Sequence, residues 1–224
     1  MSSPVLSYAL CALGGYLLGS LSPAYLIGRL RGYDVRRSGS GNAGASNTVI
    51  MAGKRLGLVV AVLDILKSAA AWWIAAALLP DAPLAGQIAG VGALLGHMFP
   101  LFLHFRGGRG LACLGGLALA SGPLVLPLML GIALILGVIT NYVCIVTVCM
   151  AAIFPLYYGW QIGPWQAAAV LAVPFLPILL KHLTNFWRIR EGKELRLSFV
   201  FNKDKELARI GYTQPDPDDG EEEV

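Results

Sequence analysis

The sequence is poor in charge, and the charges that it has are unevenly placed. Only 13% of its 224 residues are Asp, Glu, Lys or Arg, about half the fraction found in a typical soluble domain. No Asp, Glu, Lys, Arg or His occurs between Arg109 and Lys181, and the apolar residues form runs of bilayer-spanning length. These absences exclude an ordinary soluble domain and predict an all-α polytopic membrane protein.

The four cysteines follow no pairing or metal-binding pattern. Cys11, Cys113, Cys144 and Cys149 all lie in apolar stretches without CxxC spacing, so we predict neither a disulfide framework nor a metal site, and no cofactor. The N-terminus has no basic region before its apolar run and no clear cleavage site. We therefore expect a retained first helix rather than a signal peptide.

Seven apolar segments are predicted as transmembrane helices. They cover about residues 5–30, 56–79, 84–105, 111–121, 124–140, 142–158 and 165–180. The long apolar block after residue 110 is divided at the turn signal 121–123 and at Asn141. With seven crossings, the three groups of Lys and Arg residues fall on one face of the membrane. The positive-inside rule places this face and the C-terminus in the cytoplasm, and the N-terminus outside.

The chain divides into two regions of different composition. Residues 1–196 form the predicted membrane domain, and residues 197–224 form a polar, acidic C-terminal tail. In this tail, the part up to Tyr212 could form a helix lying on the membrane or on the protein. The run of acidic residues from Asp216 to Glu223 is predicted to be disordered.

The first polar cluster follows the first predicted span. Residues 39–44 match G-x-G-x-x-G, but the segment leaves a membrane helix rather than a strand, which argues against a dinucleotide-binding fold. Ser40, Asn42 and Asn47 offer hydroxyl and amide groups on a backbone that can fold tightly. Such groups suit the oxygens of a small polyhydroxy phosphate; the alternative is a flexible, solvated loop.

The second polar cluster is the glycine–arginine loop, residues 105–110. Its glycines are predicted to expose backbone N–H groups, and the guanidiniums of Arg106 and Arg109 can fork onto phosphate oxygens. The alternative is a positively charged loop that only sets the membrane topology.

Three ionisable residues lie in or beside the apolar runs. His97 lies at the end of the run that precedes the loop, and we expect it to be either a site residue or an ordinary packing residue. Asp64 and Lys67 share a helix face, and we expect them to pair or to anchor the fold rather than to catalyse.

The third polar cluster follows the last predicted span. His182 and Asn185 are three residues apart, so both point the same way if a helix continues out of the span. A histidine beside an amide can accept a proton or orient a hydroxyl near neutral pH. The alternative is an ordinary helix end at the membrane interface.

Taken in this order, the three clusters resemble the motifs of the bacterial glycerol-3-phosphate acyltransferases that use acyl phosphate as donor. The resemblance rests on residues 39–47, on residues 96–100 leading to 105–110, and on His182-x-x-Asn185 with residues 192–194. It implies a seven-helix protein of the bacterial inner (plasma) membrane with its active site facing the cytoplasm. It further implies a monomer in the lipid bilayer that makes lysophosphatidic acid from acyl phosphate and glycerol-3-phosphate, with no nucleic-acid partner.

The resemblance also assigns roles to single residues. The residues that would bind glycerol-3-phosphate are Ser40, Asn42, Asn47, Arg188 and Glu194. The residues that would bind acyl phosphate are His97, Arg106, Gly107, Gly108, Arg109 and Gly110. His182 and Asn185 would be catalytic, beside the reacting hydroxyl. Arg109 stands where the family has lysine. No acyl-enzyme nucleophile is required, because acyl phosphate is a mixed anhydride with a good leaving group, so that positioning and charge neutralisation can supply much of the catalysis.

Besides Arg109, three positions depart from the family's pattern. Ile50 stands where the family typically has arginine, Cys113 where it has threonine, and Cys144 where it has serine. The loss of an arginine removes a positive charge from the expected phosphate site, for which Lys54 or Arg55 could compensate. Two further hypotheses therefore stay open: a catalytically altered or inactive paralogue that binds a phosphorylated lipid precursor, and a small-anion transporter.

Overall fold

The structure is a computed structural model that describes residues 4–211. Within this range every regular element is a helix, which confirms the predicted class. The α-helices are α1 (Pro4–Gly19), α2 (Pro23–Leu30), α3 (Ala45–Ala52), α4 (Lys54–Leu78), α5 (Ala85–Met98), α6 (Leu111–Ser121), α7 (Val125–Thr140), α8 (Val143–Gln161), α9 (Trp165–Ala172), α10 (Phe175–Arg190) and α11 (Lys203–Arg209). Short 3-10 helices span Leu101–Leu103 and Leu197–Val200.

All seven apolar segments predicted from the sequence are helical. In the described residues, five helical segments are long and apolar enough to cross a membrane: Pro4–Leu30, Lys54–Leu78, Ala85–Leu103, Val143–Gln161 and Trp165–Arg190. The other two, α6 and α7, are apolar but shorter. The division of the long apolar block at residues 121–123 and at Asn141 matches the ends of α6 and α7.

Two of the long segments are broken by proline. Ser22 caps α2 by accepting a hydrogen bond from the Tyr25 N–H (3.3 Å), and Pro23 occupies the first helical position, where a missing N–H costs nothing. The last segment breaks before Phe175 because Pro174 has no N–H with which to continue α9. Beyond this break α10 runs to Arg190, ten residues past the predicted end of the span at residue 180.

The polar segment after α2 contains a helix that the sequence analysis does not predict. This helix, α3, packs its buried face against α4, and a Cβ built on Gly57 of α4 would collide with Val49 of α3. The remaining part of the predicted tail, residues 212–224 with the acidic run, lies outside the described residues.

Helices α1 and α5 pack with their backbones in contact. A Cβ on Gly15 would collide with the carbonyl oxygen of Ala89, and a Cβ on Gly19 would collide with that of Ala93. Small residues permit such close approach between membrane helices. The contact holds the C-terminal end of α5, which carries His97, beside the break between α1 and α2.

This close contact predicts that Gly19→Ala destabilises the protein. The added methyl must push α1 and α5 apart, which we expect to lower the free energy of unfolding by about 1–3 kcal/mol. Gly14 is the matched control, because no described atom of a neighbouring segment lies within 4 Å of a Cβ built there. Thermal unfolding in nanodiscs measures the difference; equal midpoints for Gly19→Ala and Gly14→Ala would contradict the packing.

Candidate active site

A cavity of about 440 Å³ lies at the charged ends of the helices, within the range of small-molecule pockets. Its polar lining comes from loops, from helix ends and from the interior of α4, α8 and α10: Ser40, Asn42, Ser46, Asp64, His97, Arg109, Thr147, His182, Arg188, Lys193 and Glu194. Its apolar lining comes largely from α4, α6, α7 and α8, and includes Leu114, Met129, Met150 and Phe154. The cavity can therefore hold a molecule with a polar head and a long apolar chain.

The three polar clusters predicted from the sequence meet in this cavity. A Cβ built on Gly44 would lie 3.9 Å from the Cα of Gly108, which brings the first cluster against the second. A Cβ built on Gly110 would lie 3.6 Å from Cδ1 of Ile178, one turn before His182, which brings the second against the third. Residues far apart in the chain therefore share one pocket.

The glycine–arginine loop is fastened to the end of α5. The Gly107 N–H donates to the carbonyl of Met98 (3.2 Å), and the Gly108 N–H donates to that of His97 (3.0 Å). The prediction that these two glycines expose their N–H groups is therefore wrong. A Cβ on Gly108 would also collide with the His97 imidazole. Both glycines serve close packing, and neither lines the cavity.

Lys181 of α10 holds the same loop from the other side. Its ammonium donates to the carbonyls of Met98 and Gly108, the latter at 3.2 Å, and lies 4.6 Å from the ring centroid of Phe99. From the sequence, Lys181 is only one of the Lys and Arg residues that set the membrane topology. The available signal was its place beside His182, at the end of a long uncharged run.

Two helix N-termini open into the cavity. Gly110 precedes α6 with a φ of +97°, which favours glycine, and Gly44 precedes α3; no described side chain caps either helix. Residues of both first turns line the cavity. Because the first N–H groups of a helix have no partner within it and carry the positive end of its dipole, such ends bind anions.

Arg109 adds a fixed positive charge next to the α6 N-terminus. Burial lowers the pKa of Arg109 and the carboxylate of Glu194 opposes this shift, but arginine starts so far above neutral pH that it stays charged. Arg106 points elsewhere: it is exposed and lies outside the cavity lining. Of the two arginines predicted to bind phosphate, only Arg109 reaches the cavity.

Asn47 stabilises the turn of the first cluster through hydrogen bonds made outside the cavity. It is fully buried and lies outside the cavity lining. Its Oδ1 accepts a hydrogen bond from the Ser40 N–H (2.7 Å), and its Nδ2 donates to the carbonyls of Val35 and Ser38, each at 3.0 Å. These bonds hold the turn that presents Ser40 and Asn42 to the cavity.

His182 lies in α10 with one ring nitrogen engaged. Its Nδ1 lies 2.8 Å from the carbonyl oxygen of Ile178. Because a carbonyl only accepts, Nδ1 must carry a hydrogen, which leaves Nε2 as the basic nitrogen of the neutral ring. The side chain is 1% exposed and lines the cavity.

A turn after α10 returns Glu194 to the cavity. The N–H groups of Lys193 and Glu194 both donate to the carbonyl of Arg188, at 2.8 and 3.1 Å. Asn185 donates to Oε1 of Glu194 (2.6 Å), and Nε of Arg188 lies 3.0 Å from Oε2. Asn185 itself is buried outside the lining, so its contacts orient Glu194.

A buried charged cluster joins α4 to α5. Lys67 Nζ lies 2.7 Å from Oδ1 of Asp64 and 3.1 Å from Nδ1 of His97, and this His97 nitrogen lies 3.3 Å from the same carboxylate. The predicted pairing of Asp64 with Lys67 is confirmed, while the inclusion of His97 is new. In the described residues, Asp64, His97 and Cys113 have the spacing of metal ligands. The ammonium of Lys67, however, already supplies the positive charge beside the Asp64 carboxylate.

The departures from the family's pattern have different surroundings. Ile50 is 4% exposed and lines the cavity, as does Cys144, whereas Cys113 lies outside the lining and donates weakly to the carbonyl of Asp64 (3.6 Å). Lys54 and Arg55 are exposed and lie outside the lining. The expected compensation does not come from them; Arg188 and Lys193 line the cavity instead.

Comparison with known proteins identifies the family of this chain. The profile of the family described as glycerol-3-phosphate acyltransferase matches residues 9–192. The chain belongs to this family. The resemblance inferred from the three motifs is therefore confirmed.

Curated members of the family match most of the chain. The glycerol-3-phosphate acyltransferase of Photobacterium profundum is 39% identical over 84% of this chain and 92% of that protein. The enzyme of the same name from Aliivibrio salmonicida is 39% identical over 81% of this chain and 93% of that protein.

Solved structures of the family share the fold. The glycerol 3-phosphate form of PlsY (YgiH), an integral membrane glycerol 3-phosphate acyltransferase, matches with a TM-score of 0.76 and 28% identity, over 88% of this chain and 98% of that chain. Its lysophosphatidic acid form matches with a TM-score of 0.77 and 29% identity, over 88% and 99%. The chain is accordingly an integral membrane protein.

The contacts of Lys181 predict that Lys181→Met loosens the glycine–arginine loop. Loss of the two bonds to the carbonyls of Met98 and Gly108 should speed hydrogen exchange at the amides of Gly107 and Gly108 by about tenfold, the equivalent of one net hydrogen bond. Lys54→Met, at an exposed lysine outside the cavity, is the control. Unchanged exchange in Lys181→Met would contradict the role assigned to this lysine.

Proposed function

We propose that the protein transfers an acyl group from acyl phosphate to the sn-1 hydroxyl of glycerol-3-phosphate and so makes lysophosphatidic acid. Family membership supports acyl transfer to glycerol-3-phosphate; the donor and the position of the hydroxyl are inferred from the site and its motifs. The observation that carries the proposal is one cavity that joins two helix N-termini, a basic histidine and a long apolar wall.

The two phosphorylated substrates require two anion sites. The N-terminus of α6 with Arg109 receives the phosphate of the acyl donor. The N-terminus of α3, with Ser40, Asn42 and Arg188, receives glycerol-3-phosphate. Glu194 accepts hydrogen bonds from the glycerol hydroxyls or keeps Arg188 in place. Two separate anion sites in one pocket hold the reactants against each other, which removes much of the entropic cost of bringing them together.

The reaction is a direct substitution at the acyl carbon. The sn-1 hydroxyl oxygen attacks the carbonyl carbon, a new ester C–O bond forms, and the C–O bond to phosphate breaks. The hydroxyl proton passes to Nε2 of His182 or to an oxygen of the departing phosphate. Arg109 and the α6 N-terminus stabilise the charge that develops on that phosphate, and preorganised donors of this kind make large contributions to catalysis.

The same cavity supports an orientation in the bacterial inner membrane. Its lining includes basic residues of the second and third clusters, and the acyl chain would extend along α7 and α8 toward Phe154. We propose seven crossings, with α6 and α7 as short spans, the N-terminus outside and the site facing the cytoplasm, where the positive-inside rule puts Lys and Arg. We propose that the protein acts as a monomer, because a single chain contains both anion sites, the histidine and the apolar wall that the proposed reaction needs.

The decisive experiment supplies purified protein in nanodiscs with both substrates. We expect lysophosphatidic acid and inorganic phosphate in equal amounts. If Nε2 of His182 takes the hydroxyl proton, His182→Asn should lower kcat by about 10²- to 10⁴-fold, with little change in KM for acyl phosphate; an unchanged kcat would assign the proton to the departing phosphate. His104→Asn is the matched control, because His104 is exposed and outside the cavity. Absence of lysophosphatidic acid with the intact protein would defeat the proposal.

A second hypothesis, an altered or inactive paralogue that only binds a phosphorylated lipid precursor, is favoured by Ile50 in the cavity wall. It predicts that Ile50→Arg gains activity over a silent parent. Our proposal predicts instead an active parent and no more than a few-fold gain, because Arg109, Arg188 and Lys193 already line the cavity. The activity of the two proteins, assayed side by side, decides between the hypotheses.

A further inference from the structure

The chain beyond the part matched by the family folds back onto the cavity. The family match ends at residue 192, and the composition of the sequence predicts the end of the membrane domain at residue 196. In the structure the chain continues through the 3-10 helix Leu197–Val200 and α11, and both elements contribute to the cavity wall. We call residues 197–210 the C-terminal cover.

Three apolar residues of the C-terminal cover form part of the cavity wall. Phe199, Leu207 and Ile210 all line the cavity, and Phe199 is only 4% exposed. By contrast Phe201, two residues after Phe199, is 82% exposed and lies outside the lining. The segment therefore has one apolar face that belongs to the cavity.

The C-terminal cover is attached at its start to the junction of α7 and α8. The Leu197 N–H donates to the backbone carbonyl of Asn141 (2.7 Å), and the Ser198 N–H donates to its side-chain Oδ1 (3.1 Å). Asn141 ends α7 with a φ of +59°, a left-handed conformation that asparagine tolerates better than most residues.

The C-terminal cover is attached at its other end to the turn that carries Glu194. Arg209 donates to the carbonyl oxygens of Gly192 (2.5 Å) and Glu194 (2.7 Å), and it forms an ion pair with Glu206 (2.9 Å). Since Glu194 itself lines the cavity, this attachment lies beside the polar part of the site. The cover thus lies against the portion of the cavity next to the phosphate-binding groups.

We propose that the C-terminal cover is part of the acyl-donor pocket, with Phe199 and Leu207 contacting the methylenes of the acyl chain nearest its carbonyl. The inference rests on the proposed function for the identity of the ligand. Its physical basis is the burial of apolar surface, which strengthens binding in proportion to the area removed from water. The inference implies that residues outside the three motifs contribute to the affinity for the acyl donor.

The test compares Phe199→Ala with Phe201→Ala. With palmitoyl phosphate, Phe199→Ala should raise KM for the donor about tenfold, the scale expected for losing a buried aromatic contact, while kcat and KM for glycerol-3-phosphate stay within about twofold. With acetyl phosphate, which has no methylenes to contact, kcat/KM should not change. Phe201→Ala should match the intact protein with both donors.

A binding measurement separates this inference from the proposed function. The dissociation constant of palmitoyl phosphonate, a donor analogue that cannot react, should rise about tenfold in Phe199→Ala and also in Arg209→Gln, which frees the cover without removing a cavity residue. If the intact protein makes no lysophosphatidic acid but these binding shifts occur, only the proposed function fails. Equal affinities for the intact protein, Phe199→Ala and Arg209→Gln would overturn the inference.

Discussion

A lysine ammonium buried between a carboxylate and an imidazole holds the centre of this membrane protein. Each charge would cost several kcal/mol to bury alone, so Lys67, Asp64 and His97 are stable at this depth because they compensate one another. Lys67 also donates to the carbonyl of Leu21 (2.9 Å), which lies in the break between α1 and α2. The cluster therefore fastens that break, α4 and the end of α5 to one another.

His97 links this cluster to the glycine–arginine loop, which carries the proposed phosphate-binding groups. Its carbonyl accepts the Gly108 N–H and its ring packs against Gly108, while Lys181 holds the loop from α10. The loop is consequently fixed from two sides before Arg109 and the α6 N-terminus enter the cavity. Donors that are already in place need no reorganisation when charge develops on a leaving group. The buried charges thus position the glycine–arginine loop, and two of them, Asp64 and His97, also line the cavity.

The sequence predicts the helical class and the seven apolar segments, because apolar runs, charge placement and proline or glycine breaks are local signals. That the three polar clusters share one site follows only from the resemblance of their motifs to those of a known family. It does not tell which amides face the cavity: Asn42 lines it while Asn47 and Asn185 bond to protein groups, and all three occur in equally polar motifs. Lys181 resembles an interfacial lysine whose ammonium extends to water. The C-terminal cover is held by hydrogen bonds to Asn141, which lies 57 residues before Ser198 in the chain. No local sequence pattern predicts a contact between residues so far apart.

In the proposed reaction, both phosphorylated substrates occupy one cavity together and react directly, without an acyl-enzyme. Initial rates should therefore be measured over a matrix of acyl phosphate and glycerol-3-phosphate concentrations. Direct reaction gives double-reciprocal lines that intersect, and no exchange of labelled inorganic phosphate into acyl phosphate when glycerol-3-phosphate is absent. Parallel lines accompanied by phosphate exchange, the signature of a covalent intermediate, would contradict it.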